Sequence, residues 1–278
     1  MPTLFAALAD DFTGGSDLAG MLREQGVATV LLFGAPDDAA RWASRYQAAV
    51  VCLKTRSIAA AKACAETVEA ARALAAFEPA QVQFKYCSTF DSTPAGNIGP
   101  VTAALLAHYA REFTVAVPAL PVNGRTQYLG HLFVNGELLS ESPMRSHPLN
   151  PMTDANLVRW LQLQTARRVD LIPLDVVRDG VDAIRARFAA AGEIALVDAT
   201  RNRDLGAIAE AVHDLPLITG GSGIGSALAR YWRSRGLVRA LPPQTNAGAK
   251  GGTLVLAGSC SAMTLRQLAL LERTPGLV

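Results

Sequence analysis

The stretch between residues 84 and 100 combines residue types that bind and activate small ligands. An apolar run, which predicts a short buried strand, is followed by hydroxyls, a carboxylate, an amide and two glycines, and then by a helical pattern. Ligands of α/β proteins bind where a parallel strand ends, and the N–H groups that begin the next helix attract anions. Lys85 adds a cation here and Asp91 a potential base. The remaining candidate contacts are Ser92, Thr93 and Asn97.

A second polar turn follows the apolar run at residues 4–9, which predicts a strand covered on both faces. Asp10 and Asp11 lie at its end, beside Gly14 and Gly15. Two adjacent carboxylates repel each other, so holding both ionised is costly unless a cation or a hydroxylated ligand is close. This pair is therefore expected to accept hydrogen bonds from ligand hydroxyls, or to deprotonate one.

A third polar turn follows the strand predicted at residues 49–53. It carries Lys54, Arg56 and the hydroxyl of Ser57. Two cations and hydroxyl groups at the end of a strand suit a carboxylate or a phosphate. Helix-capping residues and plain surface charges are the alternative interpretation of all three turns.

Apolar runs of strand length alternate with helical patterns through most of the chain, which predicts an α/β fold with a mostly parallel sheet and helices on both faces. Between residues 118 and 142 the pattern changes. Asn135-Gly136 lies there between two apolar runs and predicts an inserted β-hairpin, in an excursion that also contains Arg125. The glycine-rich turn at residues 220–225 matches neither phosphate-binding fingerprint, so close packing of a helix on a strand explains it equally well.

Residues 241–252 contain prolines and glycines without periodicity and predict a linker. We expect one domain over residues 1–240 and the start of a second α/β domain over residues 253–278. A single strand and helix cannot bury enough surface to fold alone. This last part therefore either packs on the preceding body or belongs to a truncated chain.

The composition disfavours several classes of protein. Half of the 278 residues are hydrophobic and 18% are charged, which predicts a globular core rather than disorder. A net charge of +2 is too small to indicate nucleic acid or an anionic membrane as the main partner, and no apolar run has the length of a membrane helix. Four scattered cysteines and no basic N-terminal region predict a reduced, cytoplasmic protein. The sequence contains no cluster of His and Cys residues with the spacing of metal ligands, so we expect no metal site formed by protein side chains.

Seven segments carry a family resemblance that runs over essentially the whole chain. They are ADDFTGGSDLAG, LKTRS, KYCSTFDSTPAGNIGP, NGRTQYLGHLFVNGELLSES, HPLNPMTDANLVR, TGGSG and VLAGSCSAMTLRQ. Together, and in this order, they resemble the four-carbon acid-sugar kinase family, most closely its 3-oxo-tetronate 4-kinase branch. The long central segments are specific, whereas TGGSG alone is not.

The resemblance implies an N-terminal domain that binds an acid sugar and a C-terminal domain that binds ATP. The reaction would move the γ-phosphoryl group of ATP, with Mg²⁺ on the ATP phosphates, to the terminal C4 hydroxyl of a four-carbon sugar acid such as 3-oxo-tetronate. Assembly of the chain into a homo-oligomer is compatible with these expectations. The residues implied for the acid-sugar pocket are Asp10, Asp17, Lys54, Arg56, Ser57, Lys85, Ser92, Thr93, Asn97 and Arg125. Those implied for the nucleotide are Gly258, Ser259 and Ser261.

Asp11 and Asp91 are the two candidates for the catalytic base, which must come within about 3 Å of the accepting hydroxyl. We favour Asp11, because it lies at a strand end near a glycine turn. Family members continue well past the position of residue 278, so this is expected to be either a truncated chain or a shortened relative, with an intact substrate half. A non-catalytic sugar-acid binding module is the alternative. A nicotinamide-dependent oxidoreductase is disfavoured, because no dinucleotide fingerprint follows the first strand.

Overall fold

The computed structural model describes residues 3–239, 254–257 and 262–275. The chain separates into two units, Met1–Leu241 and Pro242–Val278. The linker predicted at residues 241–252 lies outside the described residues. The assignment of a substrate-binding and a nucleotide-binding role to the two parts stays a prediction.

The first unit is built on an eight-stranded sheet in which every pair of neighbouring strands is parallel. Its strands are β1 (Phe5–Ala9), β2 (Thr29–Phe33), β3 (Ala48–Cys52), β4 (Gln81–Lys85), β5 (Thr114–Val117), β9 (Val169–Ile172), β10 (Ile194–Val197) and β11 (Leu217–Gly220), in the spatial order β2-β3-β1-β4-β11-β5-β10-β9. β1 and β3 are buried at every position. The continuous apolar runs of the sequence predict such strands, because helices cover both of their faces.

Helices pack on both faces of this sheet, as predicted. They are α1 (Phe12–Glu24), α2 (Ala40–Ala43), α3 (Ala60–Leu74), α4 (Ile98–His108), α5 (Leu157–Gln162), α6 (Leu174–Arg178), α7 (Val181–Ala190), α8 (Asn202–Val212) and α9 (Ser222–Ser234). Ala6 and Leu8 of β1 belong to one apolar cluster, with α3, α4 and α5, whereas Phe5 and Ala7 belong to a second cluster, with α1, α8 and α9. This alternation assigns each helix to one face.

The predicted hairpin is present as part of a small antiparallel sheet of β6 (Arg125–Tyr128), β7 (His131–Val134) and β8 (Glu137–Leu138). Both residues of its Asn135-Gly136 turn have positive φ, 53° and 89°, as tight hairpins require. Buried Asp198, which follows β10 of the main sheet, connects the small antiparallel sheet to the main sheet through hydrogen bonds. It accepts bonds from the Gln127 amide at 3.1 Å and from the N–H groups of Leu129 and Gly130 at 2.6 and 3.0 Å.

Three local predictions differ from the structure. The apolar spacing of residues 176–190 predicts one helix, but the structure has α6 and α7, separated at Gly180, whose φ of 104° lies outside the helical range. Asp154 precedes the apolar pattern of α5 and is the N-cap that the sequence predicts, but Asn156 caps this helix by accepting from the Arg159 N–H group. Residues 254–257, within a predicted strand, have no regular secondary structure; the described part of the second unit offers them no partner strand and continues with α10 (Ala262–Leu271). Nowhere in the described residues is a helix long and apolar enough to cross a bilayer.

Two glycines of α1 provide a matched test of how closely this helix approaches the sheet. A Cβ atom on Gly15 would lie 2.2 Å from Sγ of Cys52, whereas nothing lies within 4 Å of a Cβ on Gly20. We expect Gly15→Ala to lower the free energy of unfolding by about 1–3 kcal/mol through overpacking. Gly20→Ala should raise it by about 0.5–1 kcal/mol, because alanine favours the helix. Urea denaturation of both variants measures these changes, and equal effects would contradict the close packing.

Candidate functional site

The carboxyl ends of three neighbouring strands lie side by side. Ala9 of β1 pairs with Cys52 of β3 on one side and with Lys85 of β4 on the other. The backbone N–H of Thr55 then donates to the carbonyl of Asp10 at 3.0 Å, which folds the turn after β3 across the end of β1. Because parallel strands end at the same edge, residues distant in sequence converge there.

Arg56 is the centre of this convergence. Its Nε and Nη2 atoms donate to the two carboxylate oxygens of Asp10 at 2.9 and 2.8 Å. Nη2 also donates to Oδ1 of Asp11 at 2.7 Å, and Nη1 donates to Oδ2 of Asp91 at 3.3 Å. These four residues are called the Arg56 cluster below. A planar guanidinium has the five donors that such simultaneous contacts need, whereas an ammonium group does not.

The Arg56 cluster holds three carboxylates around one cation, largely out of water. Burial raises the pKa of Asp10, an effect that the neighbouring Arg56 opposes. Burial also disfavours the charged guanidinium, but the carboxylates, Asp10 first, more than compensate and raise the pKa of Arg56. Arg56 therefore stays charged, and the surplus of carboxylates favours a ligand that donates hydrogen bonds from hydroxyl groups.

The two candidate bases differ in what already contacts them. Asp91 accepts on both oxygens, from Arg56 on Oδ2 and from Nδ2 of Asn150 on Oδ1 at 2.8 Å. Asp11 accepts on Oδ1 alone, from Arg56 and from the N–H of Gly14 at 2.9 Å, which caps α1. Within the described residues, Oδ2 of Asp11 has no donor, and the Asp11 side chain is 25% exposed against 9% for Asp91. Asp11 is the carboxylate better placed to receive a proton.

Two cavities share Asp11 and Arg56. The first, of about 400 Å³, is called the Lys54 cavity; its other lining residues are Asp10, Lys54, Ser57, Ile58, Asp91, His147, Leu149 and Asn150. The second, of about 270 Å³, is called the Lys85 cavity; its other lining residues are Thr13, Gly14, Asp17, Lys85, Cys87, Ser88, Leu120, Asn123, Arg125 and Ser222. Most of the residues that line each cavity are charged or polar, which suits a small, hydroxylated ligand.

Lys85 is a buried cation, only 3% exposed. Its Nζ donates to the carbonyl of Tyr86 at 2.9 Å and forms no ion pair with any described residue. A Cβ atom on Gly14 would lie 2.6 Å from Nζ of Lys85 and 2.5 Å from Oδ1 of Asp11, so glycine allows both groups to approach α1. A buried charge is normally paired, and Lys85 therefore favours an anionic ligand in this cavity.

A family model described as a sugar-binding N-terminal domain matches residues 5–228. This chain belongs to that family. The chain is 47% identical over 270 residues to a protein named 3-oxo-tetronate kinase from Pseudomonas savastanoi pv. phaseolicola, and the alignment covers 96% of this chain and 63% of the relative. The predicted resemblance to the four-carbon acid-sugar kinases is thus confirmed, in a chain that spans less than two thirds of that relative's length.

Solved structures share the fold of the sugar-binding domain. A protein from Haemophilus influenzae superposes with a TM-score of 0.82 at 44% identity, covering 96% of this chain and 64% of the other. A domain of unknown function from Bordetella bronchiseptica gives a TM-score of 0.70 at 26% identity, covering 82% and 56% of the two chains. The latter was solved with bound citrate, as a domain-swapped dimer.

Most of the site residues predicted from the sequence line the cavities of the sugar-binding domain. Those in the Lys85 cavity are Asp11, Asp17, Arg56, Lys85 and Arg125. Those in the Lys54 cavity are Asp10, Asp11, Lys54, Arg56, Ser57 and Asp91. A third cavity, of about 360 Å³, is lined by Arg56, Ser57, Thr93 and Asn97 among others. The predicted nucleotide residues Gly258, Ser259 and Ser261 lie outside the described residues.

Two predicted contacts have other partners in the structure. Ser92 lines none of these three cavities; its buried hydroxyl donates to the carbonyl of Phe90 at 2.8 Å and accepts from Gln164 at 2.9 Å. Asn97 lines a cavity, but its amide donates to the carbonyls of Thr55 and Ile58 at 2.6 and 2.9 Å. Asn97 therefore holds the turn that carries Arg56, which is a positioning role.

Two further polar groups lie next to the Arg56 cluster. The sequence singles out only one of them, His147, for which a structural role is favoured over a catalytic one. Asn150 donates to Asp91, and Nδ1 of His147 lies 3.8 Å from the same carboxylate. Both residues lie in the segment 144–153, for which Pro143, Pro148 and Pro151 predict turns, and the polar side chain of Asn150 is the available signal there. In the described part of the chain, no group of three or more His, Cys, Asp or Glu residues is arranged to hold a metal ion.

Proposed function

We propose that this domain binds a four-carbon sugar acid such as 3-oxo-tetronate and belongs to an ATP-dependent kinase that phosphorylates its terminal C4 hydroxyl. The observation that carries the proposal is the Arg56 cluster, placed between two polar cavities in a domain 47% identical to a protein named 3-oxo-tetronate kinase. Because the chain spans 63% of that relative, the activity of the whole protein is part of the proposal.

The proposed roles follow from charge and hydrogen-bonding capacity. Phosphoryl transfer depends mainly on positioning and on stabilising charge. The carboxylates of the Arg56 cluster accept hydrogen bonds from the sugar hydroxyls, and the cations Lys54 and Lys85 attract the acid group. Asp11, on its free oxygen, accepts the proton of the C4 hydroxyl while the C4 oxygen forms its bond to the γ-phosphorus of ATP. The bond between that phosphorus and the bridging oxygen of the β-phosphate breaks, and ADP leaves. ATP, with Mg²⁺ on its phosphates, supplies the phosphoryl group when bound.

The Bordetella bronchiseptica structure supports the ligand class. Citrate, which is bound there, is a small hydroxylated carboxylate, as is a sugar acid. We extend the same chemistry to this domain. Assembly as a homo-oligomer is proposed from that domain-swapped relative, and a cytoplasmic location from the metabolic role.

Isothermal titration calorimetry tests the proposal. D-Erythronate, a four-carbon sugar acid, is expected to bind this chain, whereas erythritol, which has the hydroxyls without the carboxylate, should bind far more weakly. No heat from D-erythronate at millimolar concentrations would contradict the proposed ligand. ATP is titrated in parallel. The second candidate function is a non-catalytic binding module, and it would be favoured if erythronate binds but a chain of the full length of the relatives shows no turnover.

Gly14→Ala should separate binding from stability. The new Cβ would overlap Oδ1 of Asp11 and Nζ of Lys85, which are ends of flexible side chains and can move. We expect a loss of stability of less than about 1 kcal/mol but at least a tenfold loss of erythronate affinity, because small displacements of binding groups are costly. Gly20→Ala, in the same helix, is the control and should bind normally. Unchanged affinity in Gly14→Ala would contradict the joint role of Asp11 and Lys85.

A further inference from the structure

The first turn of α9 is held rigidly beside Lys85. Gly220 pairs with Lys85 across β11 and β4. A Cβ atom on Gly220 would lie 2.3 Å from the carbonyl oxygen of Val117, so only glycine fits where the strand passes into the helix. The buried amide of Gln83 donates to the carbonyls of Gly220 and Gly221 at 3.2 and 2.8 Å. These contacts fix where the helix begins.

This helix start offers donors that the described protein groups do not use. The N-cap residue, Gly221, has no side chain to accept from the first N–H groups of α9, which lack acceptors within the helix. The side chain of the next residue, Ser222, is also unsatisfied: the residue is 1% exposed and its Oγ has no hydrogen-bond partner among the described residues. Leaving a buried hydroxyl unpaired destabilises a protein, and a ligand that hydrogen-bonds to this Oγ would remove that cost.

The same cavity contains two further incompletely paired cationic groups. Ser222 lines the Lys85 cavity together with Lys85 and Arg125. The buried Nε of Arg125 has no partner among the described residues, and Lys85 donates only to a backbone carbonyl. Of the two carboxylates lining this cavity, Asp11 is already bound by Arg56. The lining of this cavity therefore carries three cationic side chains, Arg56, Lys85 and Arg125, against two carboxylates. In the Arg56 cluster, three carboxylates surround one cation.

The geometry points to an anion subsite formed by Ser222, the first turn of α9, Lys85 and Arg125, which takes the carboxylate of the sugar acid. This inference rests on the proposed function and extends it, because it orients the ligand. The carboxylate lies against α9, where the helix N-terminus and the cations favour negative charge. The hydroxylated carbons then extend towards the Arg56 cluster, which brings the distal hydroxyl to Asp11. A phosphoryl group is also an anion that this subsite could bind, so the experiment below distinguishes a carboxylate ligand from a phosphate ligand.

Ser222→Ala, with Ser226→Ala as its matched control, tests the subsite. Ser226 lies one turn later in α9, and its hydroxyl accepts from Arg230 at 3.0 Å. We expect Ser222→Ala to weaken D-erythronate binding about tenfold, the effect of losing a hydrogen bond to a charged group, with erythritol binding unchanged. Without ligand, Ser222→Ala should melt at a higher temperature than the parent chain, because an unpaired buried hydroxyl is removed. Ser226→Ala should bind erythronate normally.

The outcomes separate this inference from the proposed function. If the parent chain does not bind erythronate, the proposed ligand fails, and inorganic phosphate then tests the subsite by shifting the amide NMR signals of residues 222–224. Phosphate shifts lost in Ser222→Ala support an anion subsite without the sugar acid. Normal erythronate affinity in Ser222→Ala overturns the inference. The inference is also overturned if Ser222→Ala weakens the binding of phosphate but not of erythronate, or if neither anion shifts the amide signals of residues 222–224.

Discussion

Replacing Arg56 with methionine is expected to lower the free energy of unfolding by about 3–5 kcal/mol at neutral pH and to abolish binding of a tetronate. Methionine preserves much of the side-chain volume but leaves three carboxylates without their shared cation. Two of them, Asp10 and Asp91, are buried. Urea denaturation measures the loss of stability, and calorimetry with D-erythronate measures the loss of binding.

The stability deficit of Arg56→Met should shrink as the pH falls from 7 towards 4. Burial already raises the pKa of Asp10 above its ordinary value of 3.8, and the variant lacks the guanidinium that opposes this effect. In this range the folded variant binds more protons than the unfolded chain. Its stability relative to the parent protein therefore rises as the pH is lowered. A deficit that grows on acidification would contradict this explanation.

Arg159→Met is the matched control. Arg159 also donates two hydrogen bonds to one carboxylate, that of Asp154, at 3.0 and 2.8 Å, but its side chain is 63% exposed. An exposed ion pair contributes at most about 1 kcal/mol, and this pair lines none of the cavities around Arg56. We expect a small loss of stability and normal binding. Equal losses in the two variants would show that the Arg56 cluster has no special structural role.

Asp11→Asn is expected to reduce kcat by at least about 100-fold in a chain of the full length of the relatives. Asparagine retains an oxygen that can cap α1 and accept from Arg56, so the fold and the turn are preserved. What is lost is the basic oxygen that would receive the hydroxyl proton. Steady-state kinetics with ATP and a sugar acid, together with thermal melting to verify folding, measure the effect.

Asp91→Asn distinguishes a base from an electrostatic partner. Both oxygens of Asp91 are already bound, by Arg56 and Asn150, so we expect Asp91→Asn to raise KM more than it lowers kcat. Asp17→Asn, in the same cavity as Asp11, should affect kcat least. Near-normal turnover in Asp11→Asn, with a large loss of kcat in Asp91→Asn, would reverse the two roles.

The fold was largely predictable because its signals are local. Continuous apolar runs predict buried parallel strands, and Asn135-Gly136 predicts a hairpin whose turn has the expected backbone angles. The helix break at Gly180 was missed because the apolar spacing on both sides fits one helix. Only the positive φ of this residue, which a sequence does not display, shows the interruption.

The grouping of the site residues was predictable from topology, but their pairing was not. Polar turns after parallel strands meet at one edge of the sheet, which agrees with the single pocket that the family resemblance implies for Asp10, Arg56 and Lys85. One guanidinium binds three carboxylates from turns 35 to 46 residues away. This pairing depends on side-chain directions, which no periodicity in the sequence encodes. The direction of the Ser92 hydroxyl, which accepts from Gln164 in the interior, is likewise not encoded by any periodicity.

A crystal structure of this chain with D-erythronate tests the central claim most directly. We predict ligand density in the cavities on either side of Arg56, with the carboxylate near Lys85 and Ser222 and the hydroxyls within hydrogen-bonding distance of Asp11 or Asp91. Density elsewhere on the domain, with the Arg56 cluster and both cavities left without ligand at saturating erythronate, would contradict the account.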